Sequence, residues 1–473
     1  MLFRSRLPKT GSDPTDAVAP SGDATGATDA RTIQDLIDAA APTRGTVTLG
    51  SGVFYIDAQL SVTGGVTLAG QGWENTVVRA AAGSAIRLAM VDEGATVAKL
   101  TLTGGNANSQ SGDTGVWING GSTQTFGGAG AWVRNGTISW CCISNNVGST
   151  HYMYGCGVSF SGGQGTIDHC LVAENRSAQV QNVYGAGIGA VDTEGPVLID
   201  ACLVVDNRIV GNGSGGGIGV RGANHECVVR NCTVSGNTGT LYAGGIRFEH
   251  MAGFVPGKAT IINTIAVGNT MGGNESNFSV TDVLKDSVNS RNCFFGLESE
   301  ADQAPDSLYG DPLFVDAASG DYHLLEGSPA KEAGSTYAYI GKDLDDKYFV
   351  WDTPSIGCYE FDPDAQPRPW DIPGPNGGGI QALDDYEGHT YVEFTSIDLS
   401  EGTLTVGFRA GKVDARGEVV VALLCKENLD DATTFRLPAT LTNGSLDTLG
   451  VLTAVLDPPY DQLFAVGIGT IDE

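Results

Sequence analysis

Between Gly128 and Asn269 the chain repeats one pattern in five successive units. They read GAGAWVRNGTISWCCISNN, GCGVSFSGGQGTIDHCLVAEN, GAGIGAVDTEGPVLIDACLVVDN, GGGIGVRGANHECVVRNCTVSGN and GGIRFEHMAGFVPGKATIINTIAVGN. Each unit has a Gly-rich start, a short alternating segment, a turn, a second alternating segment and a closing Asn. The closing residues Asn146, Asn175, Asn207, Asn237 and Asn269 are 29, 32, 30 and 32 residues apart. A repeat of that length with no helical period inside it marks a solenoid of strands. Such a chain buries its apolar residues only by stacking unit on unit.

The interior of the stack follows from the alignment. Val158, Ile188, Ile218 and Ile246 form one inward row, Ile138, Ile167, Ile199, Val229 and Ile261 a second, and Ile143, Val172, Val204 and Val234 a third. Buried β-branched side chains suit such strands. Cys141, Cys170, Cys202 and Cys232 each stand five residues before a closing Asn, with Thr264 in that place in the next unit. Stacked inward side chains rarely offer disulfide geometry, so these read as buried thiols acting as small hydrophobes. The repeated Asn is expected to hydrogen-bond along the stack at the bend. Glu174 and Asp206 before it, with Arg176 and Arg208 after it, suggest a structural ladder of ion pairs and hydrogen bonds.

Outside the repeats, residues 1–29 lack an apolar pattern and read as a flexible tail. The opening MLFRSRLPKTGSDP is basic but has no apolar run, so it does not read as a signal peptide. In DARTIQDLIDAAAPTRG, Ile33, Leu36, Ile37 and Ala40 share a helical face that Pro42 and Gly45 terminate. That helix is placed to cover the open end of a solenoid spanning 30–360, whose last part, Asp311–Glu360, reads as atypical closing coils. Residues 361–379, rich in Pro and Gly, form a linker. Residues 380–473 hold six short alternating segments without the Asn/Cys pattern, expected to make a small antiparallel β-sandwich.

The 473 residues include 68 Gly with no Gly-X-Y period, which excludes collagen. Lys and Arg number 26 against 55 Asp and Glu, a net charge of -29. That field repels nucleic acid and anionic membranes, and no apolar run reaches membrane-spanning length. The acidity suits a secreted or cell-surface protein. Acidic loops would favour Ca2+ as a hard-oxygen cofactor, although no contiguous calcium-loop motif is present.

The G-x-G-(I/V)-x-(V/F) start followed by I-x-x-C-x-(V/I)-x-x-N resembles the right-handed parallel β-helix, or pectin-lyase-like, superfamily. DPLFVDAASGDYHLLEGSPAKEAG with DLDDKYFVWDTPSIGCYE resembles the terminal part of secreted bacterial β-helix proteins. The resemblance implies an all-β fold, a right-handed parallel β-helix with a short capping helix, and engagement of a polysaccharide or cell-surface glycan. It implies no single activity, since the superfamily holds polysaccharide lyases, glycoside hydrolases and adhesin-like proteins. The polygalacturonase-like motifs Asn-Thr-Asp, Asp-Asp, Gly-His-Gly and Arg-Ile-Lys are not found. The nearest match to the lyase segment Trp-Ile-Asp-His is Thr166-Ile167-Asp168-His169, and the Arg-x-Pro-x-x-Arg segment is missing.

Chemistry on such a fold belongs to outward residues of adjacent coils. Tyr154, Tyr184 and Tyr242 each lie three residues before a leading glycine and could offer a row of rings to sugars. Asp168 and Asp200, on neighbouring coils about 5 Å apart, have the spacing of a retaining carboxylate pair, unless Arg230 compensates them. The richest face gathers Asp192 and Glu194, then Arg221 and His225, then Arg247, Glu249 and His250. Arginine can hold a uronate carboxylate bidentately, while His, Arg or Glu can move a proton if its pKa is suitably placed. Arg247, Glu249, His250 and Asp192 are therefore the candidate catalytic set. Tyr154, Tyr184, Tyr242, Arg221, His225 and Glu194 are the candidate substrate-binding set. Two functions stay open: a polysaccharide-binding protein with lyase or hydrolase activity, and a non-catalytic adhesin-like display protein.

Overall fold

The computed structural model describes residue 14 and residues 16–361, apart from 108–115, 119–122, 126, 150–152, 179–181, 222–224, 250–258, 281–287, 304–306, 336–340 and 351–352. Beyond 361 it describes six strands between 392 and 470. By backbone contacts the chain divides into Met1–Gln366 and Pro367–Glu473.

The first unit is a parallel β-helix. Successive strands of one coil enter three different sheets, and equivalent strands of successive coils pair in parallel. The first sheet has nine strands, from Thr46–Thr48 through Gln164–Asp168 and Val197–Asp200 to Val288–Arg291. The second has eight, from Leu60–Val62 through Ile188–Val191, Ile218–Arg221 and Ile246–Glu249 to Phe278–Val280. The third has ten, from Gly52–Ile56 through Leu171–Ala173, Leu203–Val205 and Thr233–Ser235 to Leu308–Tyr309. Register aligns the inward rows as the repeat requires: Ile138, Ile167, Ile199, Val229 and Ile261 are successive partners. All five are fully buried.

Two polar ladders run through this interior. Each closing Asn accepts, on Oδ1, both the backbone N–H and the Nδ2–H of the Asn one coil before, at 2.9–3.1 Å, from Asn146 to Asn269. Asn277 extends the series and ends against the buried Glu300, which accepts its N–H at 2.7 Å. The cysteines form the second ladder, each thiol bonding the carbonyl two residues before it, at 3.0 Å for Cys202. Thr264 makes the same bond through Oγ1 at 3.0 Å, which explains why it can stand in a cysteine row. Among the described residues every cysteine is a free thiol.

At the N-terminal end, helix Ala27–Ala40 buries Ile33 and Ile37 against the first coil, and leaves Leu36 exposed. From residue 16 the expected tail packs on the coils: Val18 bridges Leu49, and the buried Asp29 accepts N–H bonds from Ser21 and Tyr55. No helix among the described residues is long and apolar enough to cross a membrane.

The described residues between 311 and 361 do not add coils. They run as a strap over the outer face of the third sheet. That sheet is apolar on both faces, because Leu171, Leu203, Val205, Ile265 and Val267 point outward from it. The strap covers them with Tyr322, Leu324, Leu344, Ile356 and Cys358. A parallel sheet buried on both faces gives continuous apolar strands rather than alternation, as Leu203-Val204-Val205 does. Gly357 N donates to Asn263 O at 2.9 Å and Cys358 N to Thr233 Oγ1 at 3.1 Å, tying the strap to the coils.

The second unit holds two three-stranded antiparallel sheets. One is Val392–Ser400, Thr403–Ala410 and Thr448–Val455; the other is Ala439–Leu441, Val419–Cys425 and Leu463–Thr470. All six alternating segments of the sequence are strands.

Candidate functional site

The outer face of the second sheet carries Trp132, Ser159, Gly189, Gly219, Arg247 and Ser279 in register. The two glycines are there for a reason of space. A Cβ on Gly189 would stand 2.2 Å from Gly155 N, and one on Gly219 would stand 2.4 Å from Gly185 N. The chain segments carrying Tyr154 and Tyr184 therefore lie flat against the sheet, and only glycine admits so close an approach. One coil further on, Arg247 takes the glycine's place and the covering segment changes. The carbonyls accepting from the leading glycine of the coil before belong to Tyr184, Ser214 and then Ala243. Tyr242 thus falls one residue outside the tyrosine row that spacing suggested. It adopts a left-handed φ of 62° and is 59% exposed.

Tyr154 and Tyr184 are buried, stacked at 5.3 Å between ring centroids. They are not a ligand surface. They are the inner wall of a network that joins the two groups of residues treated separately in the sequence. Arg221 stacks its guanidinium 4.8 Å from the Tyr184 ring and donates from Nη1 to the Tyr154 hydroxyl at 3.1 Å. Tyr184 donates its own O–H to Glu249 Oε1 at 3.1 Å. Arg221 and Glu249 are register partners, with Nε and Oε1 3.0 Å apart. Arg247 Nε lies 3.6 Å from Glu249 Oε2, its Nη1 donates to Ser279 Oγ at 2.6 Å, and its guanidinium sits 4.5 Å from the Tyr242 ring.

Two guanidinium groups thus converge on one carboxylate, leaving a local cationic excess in a chain of net charge -29. Burial pushes the Arg247 pKa down, with Glu249 and the tyrosines opposing it. Burial also works against the charge of Arg221, but the Tyr154 and Tyr184 hydroxyls and Glu249 outweigh it and its pKa is raised. Burial, then the charge of Glu249, raises the Tyr184 phenol, so it stays a donor.

Of the other sequence candidates, Asp192 is half-buried at the turn after Ile188–Val191, with a φ of 49°. Glu194 and His225 are exposed, and among the described residues neither bonds to the Arg221–Glu249 network. His250 lies outside the described residues. Asp168 and Asp200 are register neighbours, as expected, but each has a cationic or imidazole partner. Arg230 Nε donates to Asp200 Oδ2 at 2.7 Å, and His169 Nδ1 stands 3.1 Å from Asp168 Oδ2. Among the described residues no group of three or more His, Cys, Asp or Glu is placed to hold a metal ion, so no Ca2+ site is assigned.

Sequence reasoning missed Ser279 and two exposed apolar residues. Leu241, next to Tyr242 in the chain, is 45% exposed and donates its N–H to Gly213 O, and Val210 is 41% exposed. The repeated outward glycine in GIG at 187–189 and 217–219, ending at Arg247, was the available signal. No protein-family model matches this chain, and no curated protein matches it.

Proposed function

We propose that this chain is an extracellular glycan-binding β-helix of the pectin-lyase-like superfamily, which takes an acidic polysaccharide at the exposed Tyr242 ring and Leu241, with the Arg247 guanidinium buried behind the ring. The observation that carries the reading is the exposed Tyr242 ring backed by a guanidinium. An aromatic face with an apolar neighbour suits the C–H face of a sugar ring, and the arginine excess beneath suits a uronate carboxylate. The parallel coils favour the superfamily, and the acidic surface favours an extracellular location. In this reading Glu249 orients the two arginines, because three donors already surround its carboxylate.

Titration of the full chain with uronate-containing and neutral polysaccharides tests the reading. Binding of the uronate polymer, weakened by salt and lost in Tyr242→Ala, supports it. Equal binding of neutral polymers would remove the arginines from recognition, and no binding of either would favour a display protein that carries no glycan.

A second reading, turnover by a polysaccharide lyase or hydrolase, has one observation in its favour. The Arg247 guanidinium, 4.5 Å from the Tyr242 ring, supplies a positive charge that would stabilise negative charge developing on a uronate. Incubation with the bound polymer separates these outcomes. Ultraviolet absorbance of an unsaturated uronate reports a lyase, new reducing ends without it report a hydrolase, and neither leaves binding alone.

A further inference from the structure

Two histidines, one joining coil to strap and one within the strap, have ring nitrogens that all face acceptors. His169, at the corner between the first and third sheets, places Nδ1 3.1 Å from Asp168 Oδ2 and Nε2 3.0 Å from the carbonyl oxygen of Lys342. The latter contact crosses from coil to strap. Within the strap, His323 places Nδ1 2.6 Å from Asp321 Oδ1 and Nε2 3.0 Å from Asp345 Oδ2. A neutral imidazole has one N–H and one lone pair, so it can satisfy only one of two acceptors; the imidazolium satisfies both. Each ring is also clamped by an aromatic face, His169 on Trp140 at 4.3 Å and His323 on Tyr359 at 4.1 Å. Neither ring can rotate away to find a new donor without unstacking.

We propose that the strap is a pH-governed latch, closed over the apolar outer face of the third sheet while His169 and His323 are imidazolium and loosened when they lose that charge. Deprotonation turns one lone pair of each ring against an oxygen. It breaks the coil-to-strap contact at Lys342 or the Asp168 bond in one case, and the Asp321 or Asp345 bond in the other. The lobe those bonds hold, around Tyr322 and Leu344, covers Leu171, Leu203 and Val205.

The neighbouring charges agree in sign. Burial disfavours the charge of His169, but Asp168 and the Lys342 carbonyl outweigh it, with the Cys202 thiol also nearby, and its pKa is raised. Burial likewise opposes His323, and Asp345 and Asp321 outweigh it. Asp345 also faces Lys347 at 3.5 Å, while the Lys342 ammonium is taken up by Asp346 at 2.7 Å. A histidine whose folded pKa is raised contributes stability that is complete below its ordinary value of 6.5 and lost as pH rises through the folded value. Asp343, in the same lobe, is pushed up to about 6 by burial and accepts the Lys347 N–H, so Leu344, whose N–H goes to Cys358 O, is the more direct reporter.

Hydrogen exchange of the full chain across this range, corrected for the intrinsic rate at each pH, tests the latch. Protection of the Leu344 and Lys347 amides should fall at least about tenfold, the factor that 1.4 kcal/mol represents, while the Asn-ladder amides of the coils keep theirs. The double variant His169→Gln with His323→Gln, neutral at every pH, should show low strap protection that no longer depends on pH. Should that variant fail to fold, the ring Cε1–H resonances of the native chain decide. Midpoints above 6.5 for both histidines are expected, and midpoints at or below 6.5 would overturn the latch. Strap protection that stays constant as those resonances titrate would overturn it as well.

Discussion

Asn207 is wholly buried, yet every polar atom of its side chain has a partner. Its Oδ1 accepts from Asn175 N and Nδ2, and its Nδ2 donates to Val172 O, Val205 O and Asn237 Oδ1. Replacing it with alanine strands the Asn175 donors and takes a donor from acceptors on that coil, on its own and on the next, at about 1–3 kcal/mol for each buried group left unpaired. Asn207→Ala is therefore expected to lose about 3 kcal/mol or more in denaturant unfolding, well beyond the loss from Cys202→Ala. The residue just before each closing Asn has a different task. Glu174 and Asp206 adopt φ of 56° and 55°, where Gly104, Gly236 and Gly268 stand in other coils with φ of 79°, 68° and 65°. A side chain costs about 1–2 kcal/mol in that conformation, so Glu174→Gly should raise the unfolding midpoint, with a gain near 1 kcal/mol. The Asn role was legible because a repeated amide at a bend needs neighbours above and below. The left-handed turn was not, because alternating Glu, Asp and Gly at one position looks like charge patterning; in the structure Glu174 Oε2 accepts from Asn145 Nδ2 of the coil before.

At the scale of elements, alternation revealed which residues face inward and was silent about what lies outside. The three inward rows are where the sequence put them. The outer faces differ from one another: the second sheet is covered by the segments of Tyr154 and Tyr184, and the third by the strap. Both covers had traces in the sequence, the outward glycines at 189 and 219 and the doubly apolar strands at 203–205 and 265–267. Those traces indicate contact without naming the partner, and the partner of the third sheet comes from a later part of the chain, between Tyr322 and Cys358. The close approach gives a sharp expectation. Gly219→Ala forces a methyl group onto backbone atoms, with Gly185 N at 2.4 Å and Tyr184 C at 2.7 Å. Backbone cannot step aside as a long side chain can, so the variant should lose about 1–3 kcal/mol or more by the usual cost of overpacking. It should also raise hydrogen exchange at Tyr184 and Gly185; unchanged exchange there would mean the cover is looser than its geometry.

For the whole molecule, the same repeat that builds a rigid cylinder also confines chemistry to the places where it is broken. Arg221, Arg247 and Glu249 stood out in the sequence because they interrupt a column of small or apolar outward residues. Their union with Tyr154 and Tyr184 was not legible, since it depends on the tyrosine segments folding back across the sheet. Glu249 is the keystone of that union, with a side chain only 13% exposed between two guanidinium groups. Removing one member of such a group leaves buried charge uncompensated, at about 3–5 kcal/mol. Glu249→Ala should be strongly destabilising, whereas Tyr242→Ala, at an exposed ring, should leave the unfolding midpoint close to that of the native chain. Equal losses from the two would mean that Tyr242 is part of the packing and not of a ligand surface. The most direct measurement is a hydrogen-exchange footprint of the full chain with and without a saturating uronate oligosaccharide. Added protection centred on residues 239–249 is expected, and protection confined to other coils, or none, would contradict a glycan site at Tyr242 and Arg247.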